Sequence, residues 1–457
     1  MPVRVFDVKL KNIEPAAKFF LVAFAMSFGL KKTEPYFLKQ LAEVLSISQK
    51  DVSKAVGQLL ELSFLQREGV PKSAGKGKPR HVYMISQSVS DELTAMSARE
   101  PYHLSLVKYV IATSTIRAVK SDVKPNDLLA AGSEKARNSN SAFPVNKVIY
   151  LSLENRLLLA VLLSRADKFG VVRSLSDNAL CELTGLNVAS LRQRRRKLIS
   201  LGFIRYYAPG IANSIFAGKP KSNYILNLNH LQLAPTRDTV RVHVQDYMGE
   251  MDRYSFMNNV WNDCKRYRQG NYGLGYEPGV LALLCRVPEH GFKQLCFFMS
   301  DCVSRLLSQY LSETDGVKRQ ALLRSSTDLY ESVLYEELKA FFRAFEIQTK
   351  KDFIVRSEVL ISYFDQLIVT LTAECVDRFF KAGASFNKDD EFMLMPTDHS
   401  IEVMGLALLV ANAEDRRSFS RLYSVNNPTW PPNNKVVREV DIPLDVRERS
   451  GLLALPS

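Results

Sequence analysis

The apolar positions in the front part of the chain follow one pattern twice. When the sequence is displaced by 139 residues, Leu41–Leu65 lies over Leu180–Ile204, and ten of 25 positions agree in character without a gap. Most of the agreeing positions are periodic apolar ones, as in amphipathic helices. The pattern therefore predicts the same elements in the same order in two copies, copy one and copy two. The identical pairs are Leu41/Leu180, Glu43/Glu182, Leu59/Leu198, Leu62/Leu201 and Phe64/Phe203.

Each copy predicts three helices. A leading apolar helix precedes a short helix, which stops at a three-residue turn before a longer second helix. Ser48 and Asn187 end the two turns, and both residue types cap helices by accepting hydrogen bonds from free backbone N–H groups. The predicted helices are Glu14–Gly29, Phe37–Leu45 and Gln49–Leu62 in copy one, and Leu153–Asp167, Asp177–Thr184 and Val188–Leu201 in copy two.

A β-hairpin is predicted directly after the second helix of each copy. Short runs of β-prone residues flank a tip rich in glycine, proline and lysine, and this pattern indicates two strands joined by a loop. The tips span residues 69–79 and 208–220. The predicted strands are Phe64–Arg67 and Val82–Ile85 in copy one, and Phe203–Tyr207 and Tyr224–Leu228 in copy two.

The order of helix, turn, helix and hairpin resembles the winged helix-turn-helix. Copy two, with Leu153–Gly170 and the turn around Gly185-Leu186-Asn187, resembles the winged-helix modules of bacterial regulators and of phage or plasmid replication proteins. Copy one is similar to a MarR-type reader. The resemblance covers about 160 of the 457 residues. It implies that the second helix of each copy lies in the major groove of DNA.

The sequence predicts a mainly α protein in which two winged-helix domains precede an all-helical C-terminal domain. Apolar residues recur at helical spacing beyond about residue 245, and prolines concentrate in the last 45 or so residues. The predicted segments are winged-helix domains at 1–89 and 148–232, a helix and flexible linker at 90–147, a helical oligomerisation or partner domain at 245–411, and a proline-containing tail at 412–457.

The charge is divided unevenly between these segments. Residues 1–244 carry 36 Lys+Arg and 18 Asp+Glu, a balance of +18, whereas residues 245–457 carry 25 and 30, a balance of −5. The formal net charge of +13 is therefore an average over two unlike halves. Only the front half has the charge of a surface that binds a polyanion.

The candidate DNA-binding residues lie on the second helices and the hairpin tips. The register leaves Arg192, Gln193 and Arg196 on the outer face in copy two, and Arg and Gln side chains suit guanine and adenine edges. Arg194 and Arg195 align with Ala55 and Val56, so we expect them at the packed edge, reaching out to phosphate. The remaining candidates in copy one are Gln49, Lys50, Ser53 and Lys54 on the second helix and Lys72, Lys76, Lys78 and Arg80 on the hairpin. The remaining candidates in copy two are Ser190 and Lys197 on the second helix and Lys219 and Lys221 on the hairpin.

Simpler interpretations stay open for each group. A run of cations on a helix is often only a solvated face, and a lysine-rich tip is often only a soluble loop. The six cysteines form no CxxC pair, so we expect buried thiols in place of disulfides or zinc sites. Asp389-Asp390-Glu391 is interpreted as a solvated turn. The aromatic loop Gly270–Gly279 is interpreted as a turn between helices, with a partner or ligand surface as the alternative.

The residue patterns indicate no enzyme, cofactor or metal. The glycine-lysine tip lacks the spacing of a phosphate-binding loop, and the six histidines lack metal-ligand spacing. No run approaches the roughly 20 apolar residues of a membrane span, so we expect a cytoplasmic, nucleoid-associated protein.

The predicted function is sequence-specific binding of double-stranded DNA. Transcriptional regulation is the commonest role of such an arrangement and is therefore the predicted role. The helical C-terminal domain would form a homo-oligomer or bind a protein partner. One alternative is a replication initiator or partition protein of a plasmid, phage or integrated element. A second alternative is an interaction scaffold that its front half tethers to DNA.

Overall fold

The computed structural model is rich in helix and carries several small sheets. It describes residues 2–8, 10, 12–70, 79–95, 100–113, 116–119, 148–233, 240–246, 257–270, 278–314, 333–344, 346–348, 354–380, 386–397, 405–411 and 420–424, and isolated positions within 316–322 and 436–453. The α-helices are α1 Pro15–Phe28, α2 Leu38–Leu45, α3 Gln49–Glu61, α4 Gln87–Ala95, α5 Leu104–Ala112, α6 Leu153–Arg165, α7 Asp177–Thr184, α8 Val188–Ser200, α9 Met257–Arg268, α10 Pro278–Leu284, α11 Glu289–Ser312, α12 Val333–Phe341 and α13 Ser357–Cys375.

The strands are short and pair in separate sheets. Two-stranded sheets are β1–β2, β3–β4 and β9–β10, a three-stranded sheet has the order β5-β7-β6, and a five-stranded sheet has the order β11-β12-β8-β13-β14. Their bounds are β1 Leu65–Gly69, β2 His81–Ile85, β3 Arg117–Val119, β4 Val148–Tyr150, β5 Val171–Leu175, β6 Ile204–Ala208, β7 Ser222–Leu226, β8 Arg241–Asp246, β9 Glu346–Gln348, β10 Ile354–Arg356, β11 Glu391–Leu394, β12 Gly405–Ala411, β13 Ser420–Ser424 and β14 Val436–Val437.

The chain divides into two compact units. The first unit comprises Met1–Ser164 and Leu180–Leu201, and the second comprises Arg165–Ala179 and Gly202–Ser457. This division differs from the predicted one, because the helices α6 and α8 of copy two belong to the same unit as the whole of copy one. The strands β5, β6 and β7 of copy two belong to the second unit.

The helices of both copies form where the sequence predicts them, and local signals explain why. The side chain of Ser48 accepts a hydrogen bond from Asp51 N at 3.1 Å and begins α3. The side chain of Asn187 accepts one from Ser190 N at 2.8 Å and begins α8. Each cap replaces a hydrogen bond that the first turn of a helix lacks. Helix α1 is apolar around its circumference and is accordingly buried from Ala17 to Ala25.

The hairpins also form close to their predicted positions. Strands β1 and β2 pair antiparallel from Leu65 opposite Ile85 to Gly69 opposite His81. In copy two, β6 and β7 pair antiparallel with one irregularity between Ile204 and Tyr206. The sequence analysis missed β5, which pairs with β7 and makes this sheet three-stranded.

The prediction of an all-helical C-terminal domain is wrong. Five strands between residues 241 and 437 form one sheet, in which β13 runs parallel to β8 and the other neighbours are antiparallel. Helix α11 packs against its edge, because the hydroxyl of Ser304 accepts a hydrogen bond from Leu394 N at 2.8 Å. Strand β12 is a continuous apolar run that is buried from Leu406 to Val410. The residues of such a run do not alternate between apolar and polar, so the sequence pattern does not distinguish a buried strand from a buried helix.

The interpretation of residues 412–457 as an irregular tail is also wrong. Strands β13 and β14 add this segment to the five-stranded sheet. Further along, Ile442, Val446 and Leu452 are buried as core residues. The prolines that suggested an irregular arm lie outside the described residues.

Helix and strand bounds elsewhere modify two further expectations. Where a helix and flexible linker are predicted at 90–147, the structure has the end of α4, the helix α5 and the strand β3, and residues 120–147 lie outside the described residues. Among the residues that the structure describes, one helix, Ser357–Phe379, is long and apolar enough to cross a membrane, contrary to the expectation from sequence. In the protein, 61% of its most apolar window is buried, as in the core helix of a soluble domain.

Candidate nucleic-acid interface

The outer face of α8 carries the strongest set of candidate residues. Arg192, Gln193 and Arg196 are exposed, while Leu191 and Leu198 on the opposite face are buried. Within the described part of the chain, neither Arg192 nor Arg196 forms an ion pair. Their charges and donors therefore point to solvent in the first unit.

Arg194 and Arg195 lie between Gln193 and Arg196 in the sequence, and their positions differ from the expectation that they reach out to phosphate. The Nε of Arg194 lies 2.6 Å from a carboxylate oxygen of Glu154 on α6, and its side chain is partly buried. Arg195 is 8% exposed. Their position at the packed edge is as predicted, but Arg194 holds α8 against α6 by an ion pair. Ser190 and Lys197 are half-buried at the two ends of this face.

The outer face of α3 is arranged in the same way. Gln49, Lys50, Ser53 and Lys54 are exposed, whereas Val52, Ala55, Val56 and Leu59 are buried. The Nζ of Lys54 lies 2.6 Å from a carboxylate oxygen of Glu14, which precedes α1. This hydrogen bond and the negative charge of Glu14 raise the pKa of Lys54. Lys54 therefore remains a cation and is shared between Glu14 and solvent.

The two copies agree position by position on their second helices. With the displacement of 139 residues, Ser53, Lys54 and Gly57 align with Arg192, Gln193 and Arg196, and all six are exposed. Val52, Val56 and Leu59 align with Leu191, Arg195 and Leu198, and all six are buried. The repeat recognised in the sequence is thus also a repeat of buried and exposed faces.

The hairpin of copy one is described only in part. Arg80 is exposed, and its guanidinium lies 5.0 Å from the ring centroid of Phe37. Lys72, Lys76 and Lys78 lie outside the described residues.

The hairpin tip of copy two lies in the second unit, where it is held by a neighbouring segment. Ala217 N donates to Phe341 O at 2.9 Å, and Arg343 N donates to Ile215 O at 2.9 Å. The exposed Lys219 lines an open groove of about 580 Å³ together with Lys339 and Arg343, and Lys221 is exposed beside it. Sequence analysis missed Lys339 and Arg343, because only the pairing of distant segments brings them next to the tip.

Other candidate sites of the sequence analysis have different outcomes. Asp389 and Glu391 are exposed, as the interpretation of 389–391 as a solvated turn requires, but Asp390 is buried and lies 2.9 Å from Arg241, so the interpretation is wrong for this residue. The six cysteines are free thiols. Among the described residues, no group of three or more His, Cys, Asp or Glu side chains is arranged to hold a metal ion. Residues 271–277 of the aromatic loop lie outside the described part of the chain.

Comparison with known proteins adds no relative. No protein-family description, curated protein or solved structure matches the chain.

Proposed function

We propose that this protein binds double-stranded DNA in a sequence-specific manner through α3 and α8, the second helices of two winged helix-turn-helix modules. The order of elements in copy two, α6, β5, α7, α8, β6 and β7, and the sheet order β5-β7-β6 support a winged-helix module. The single observation that carries the proposal is the exposed face of Arg192, Gln193 and Arg196 on α8. In a helix-turn-helix, this face enters the major groove.

The residue types on the two faces suit two different tasks. Lysines and arginines replace condensed counterions on phosphates and give affinity that falls steeply with salt. Arg192, Gln193 and Arg196 carry planar donor groups that pair with guanine and adenine edges in the major groove. Phosphate contacts position a protein on DNA, and base contacts specify the sequence. We therefore assign the affinity for DNA to the cations on the exposed faces of α3 and α8. We assign the sequence specificity mainly to the planar groups of Arg192, Gln193 and Arg196.

The biological role that we propose is transcriptional regulation in the cytoplasm, at the nucleoid. The second unit would then supply a homo-oligomer contact or a surface for a protein partner. Selection of bound fragments from the host genome tests this role. Recovery of promoter fragments would support it, whereas recovery of repeated sites at a replication origin would contradict it and favour an initiator or partition protein.

Sedimentation of the full chain at micromolar concentration tests the proposed homo-oligomer, and a monomer at that concentration would refute it.

The DNA-binding proposal is tested with a pool of random-sequence duplexes and the full chain. Several rounds of selection should enrich a common sequence. In the variant Arg192→Ala/Gln193→Ala/Arg196→Ala, the preference should be lost at the bases that face α8. The slope of log affinity against log salt should also fall, by up to about two, because two positive charges at the DNA surface are removed.

A control with the same charge change isolates the role of the α8 face. Lys31 and Lys108 are exposed and lie outside both second helices, so Lys31→Ala/Lys108→Ala also removes two positive charges. We expect this control to retain the sequence preference and the salt slope. If the two variants bind alike, or if no duplex sequence is enriched, the proposal is wrong.

A further inference from the structure

The turns of the two modules occupy equivalent positions and make equivalent contacts. Ser46 and Gly185 align in the repeat, and both adopt a left-handed backbone, with φ of 53° and 72°. The carbonyl oxygen of Ser46 accepts a hydrogen bond from the guanidinium of Arg156 at 3.4 Å. A Cβ atom at Gly185 would lie 2.5 Å from the carbonyl oxygen of Ile13. Each turn therefore contacts the other module at the beginning of its leading helix.

Reciprocal contact identifies the symmetry that relates the modules. The turn of copy one meets residue 156, which aligns with Ala17, and the turn of copy two meets Ile13 and Pro15. Ile13 corresponds to residue 152, four positions before Arg156, so the two contacts lie about one helical turn apart at the beginning of the leading helices. When site i of one copy meets site j of the other, and j meets i, the interface is isologous and its operation is a two-fold rotation. A head-to-tail arrangement would place only one of the two turns against the other module.

The second helices follow the same symmetry because each is bound to its own leading helix. Lys54 pairs with Glu14 in copy one, and Arg194 pairs with Glu154 in copy two. With the displacement of 139 residues, Lys54 and Glu14 correspond to positions 193 and 153. Arg194 and Glu154 therefore each lie one position further along the chain. Each exposed face is therefore held in a similar orientation to its own leading helix.

The contact between the modules is packed. Arg156 is 4% exposed, and its Nε donates to Val110 O at 3.0 Å. A second donor of the same guanidinium reaches Ile111 O, and the group lies 4.7 Å from the ring centroid of Phe19. These carbonyls belong to the last turn of α5, where helix ends lack partners. A buried guanidinium that contacts two carbonyls of α5 and the Phe19 ring of α1 holds α1, α5 and α6 in one arrangement.

We infer that the two helix-turn-helix modules form an approximate two-fold dimer within one chain, and that its DNA site is an imperfect inverted repeat with fixed spacing. The inference rests on the proposed DNA binding. Two-fold recognition helices read half-sites of opposite direction. The half-sites differ in sequence, because α8 presents two arginines and a glutamine where α3 presents serine, lysine and glycine. The half facing α8 should be the richer in guanine.

The test uses the duplex selected by the full chain. The enriched sequence should hold two unlike half-sites in inverted order at one spacing. The variant Arg192→Ala/Gln193→Ala/Arg196→Ala should lose base preference in one half-site, and Gln49→Ala/Lys50→Ala/Ser53→Ala should lose it in the other. Insertion of 5 bp between the half-sites, about half a turn of DNA, should lower affinity at least tenfold.

The outcomes separate this inference from the function on which it rests. Enrichment of direct repeats, enrichment of a single half-site, or affinity that changes less than threefold on the 5-bp insertion would overturn the two-fold arrangement and leave DNA binding intact. Enrichment of no duplex sequence would overturn both.

Discussion

Arg205 and Glu439 are 234 positions apart and form an ion pair of 2.6 Å whose side chains are 2% and 3% exposed. Asn227 accepts a hydrogen bond of 2.8 Å from the same guanidinium, and Asn229 donates one of 2.8 Å to the carboxylate. The pair joins strand β6 to the segment that follows β14. With the pairing of β13 and β14, it is one of the contacts that hold the C-terminal residues in the second unit.

Removal of the carboxylate from this pair should destabilise the protein strongly. Glu439→Ala leaves a buried guanidinium without its counter-charge, and we expect a loss of about 3 to 5 kcal/mol in the free energy of unfolding. Urea denaturation followed by circular dichroism measures it. The matched control is Glu68→Ala, since Lys32–Glu68 is an ion pair whose side chains are 53% and 59% exposed. Exposed pairs contribute about 0 to 1 kcal/mol, so equal losses in the two variants would contradict this account.

The contact between the second turn and Ile13 predicts a difference between two glycine substitutions. Gly185 and Gly218 have the same positive φ, 72°, but a Cβ at Gly218 has no atom within 4 Å. Both Gly185→Ala and Gly218→Ala incur the strain of an alanine at positive φ, about 1 kcal/mol. Only Gly185→Ala also displaces the backbone at Ile13, so it should have a melting temperature several degrees below that of Gly218→Ala. Equal melting temperatures would show that the turn does not pack against Ile13.

Lys18 predicts how stability depends on pH. Burial lowers the pKa of Lys18 to about 8, against the smaller opposing effects of Asp7 and Glu92, and its Nζ donates to Val8 O at 2.9 Å. The unfolded chain therefore binds more protons at this residue between pH 8 and its ordinary pKa of 10.5, and the free energy of unfolding rises with pH in that window. The contribution of Lys18 over the first two pH units is about 1 to 2 kcal/mol.

Two methionine variants isolate this dependence. Lys18→Met removes the titrating group, so its free energy of unfolding should rise less between pH 8 and pH 10 than that of the natural chain. Lys31→Met changes an exposed lysine just after α1 and should leave the slope unchanged. If Lys18→Met retains the full slope, another group is responsible for it.

Among Cys264, Cys285, Cys302 and Cys375, the thiol of Cys285 should be the most reactive. A hydrogen bond from the Cys264 side chain and the charge of Arg268 lower the pKa of Cys285. Burial raises the pKa of Cys302 to about 12, and the pKa values of Cys264 and Cys375 are also raised. Thiolates react and thiols do not, so iodoacetamide near neutral pH should label Cys285 first.

Peptide mass spectrometry over a time course measures this order. Cys285→Ser should abolish the fastest labelling among the four, and Cys302→Ser should leave it intact. Labelling of Cys302 at the rate of Cys285 would disprove the predicted order.

Features that depend on neighbours in sequence were predictable. The caps at Ser48 and Asn187, the bounds of α2, α3, α7 and α8, and the outward faces of α3 and α8 follow from signals within a few residues. The candidate residues on these faces therefore lie where the sequence puts them. The position of Arg194 was also predicted, but its partner Glu154 was not, because the ion pair depends on how α6 packs.

The sequence by itself determined two pairs of helices joined by short turns, with exposed polar and basic faces on α3 and α8, since helix periodicity and capping are local properties of the chain. Tertiary structure alone decided that both sets of helices belong to one unit, that five strands between residues 241 and 437 form one sheet, and that Glu439 is buried against Arg205. These features depend on contacts between residues far apart in sequence. An apolar strand or a charged side chain bears no local mark of the distant partner that stabilises it.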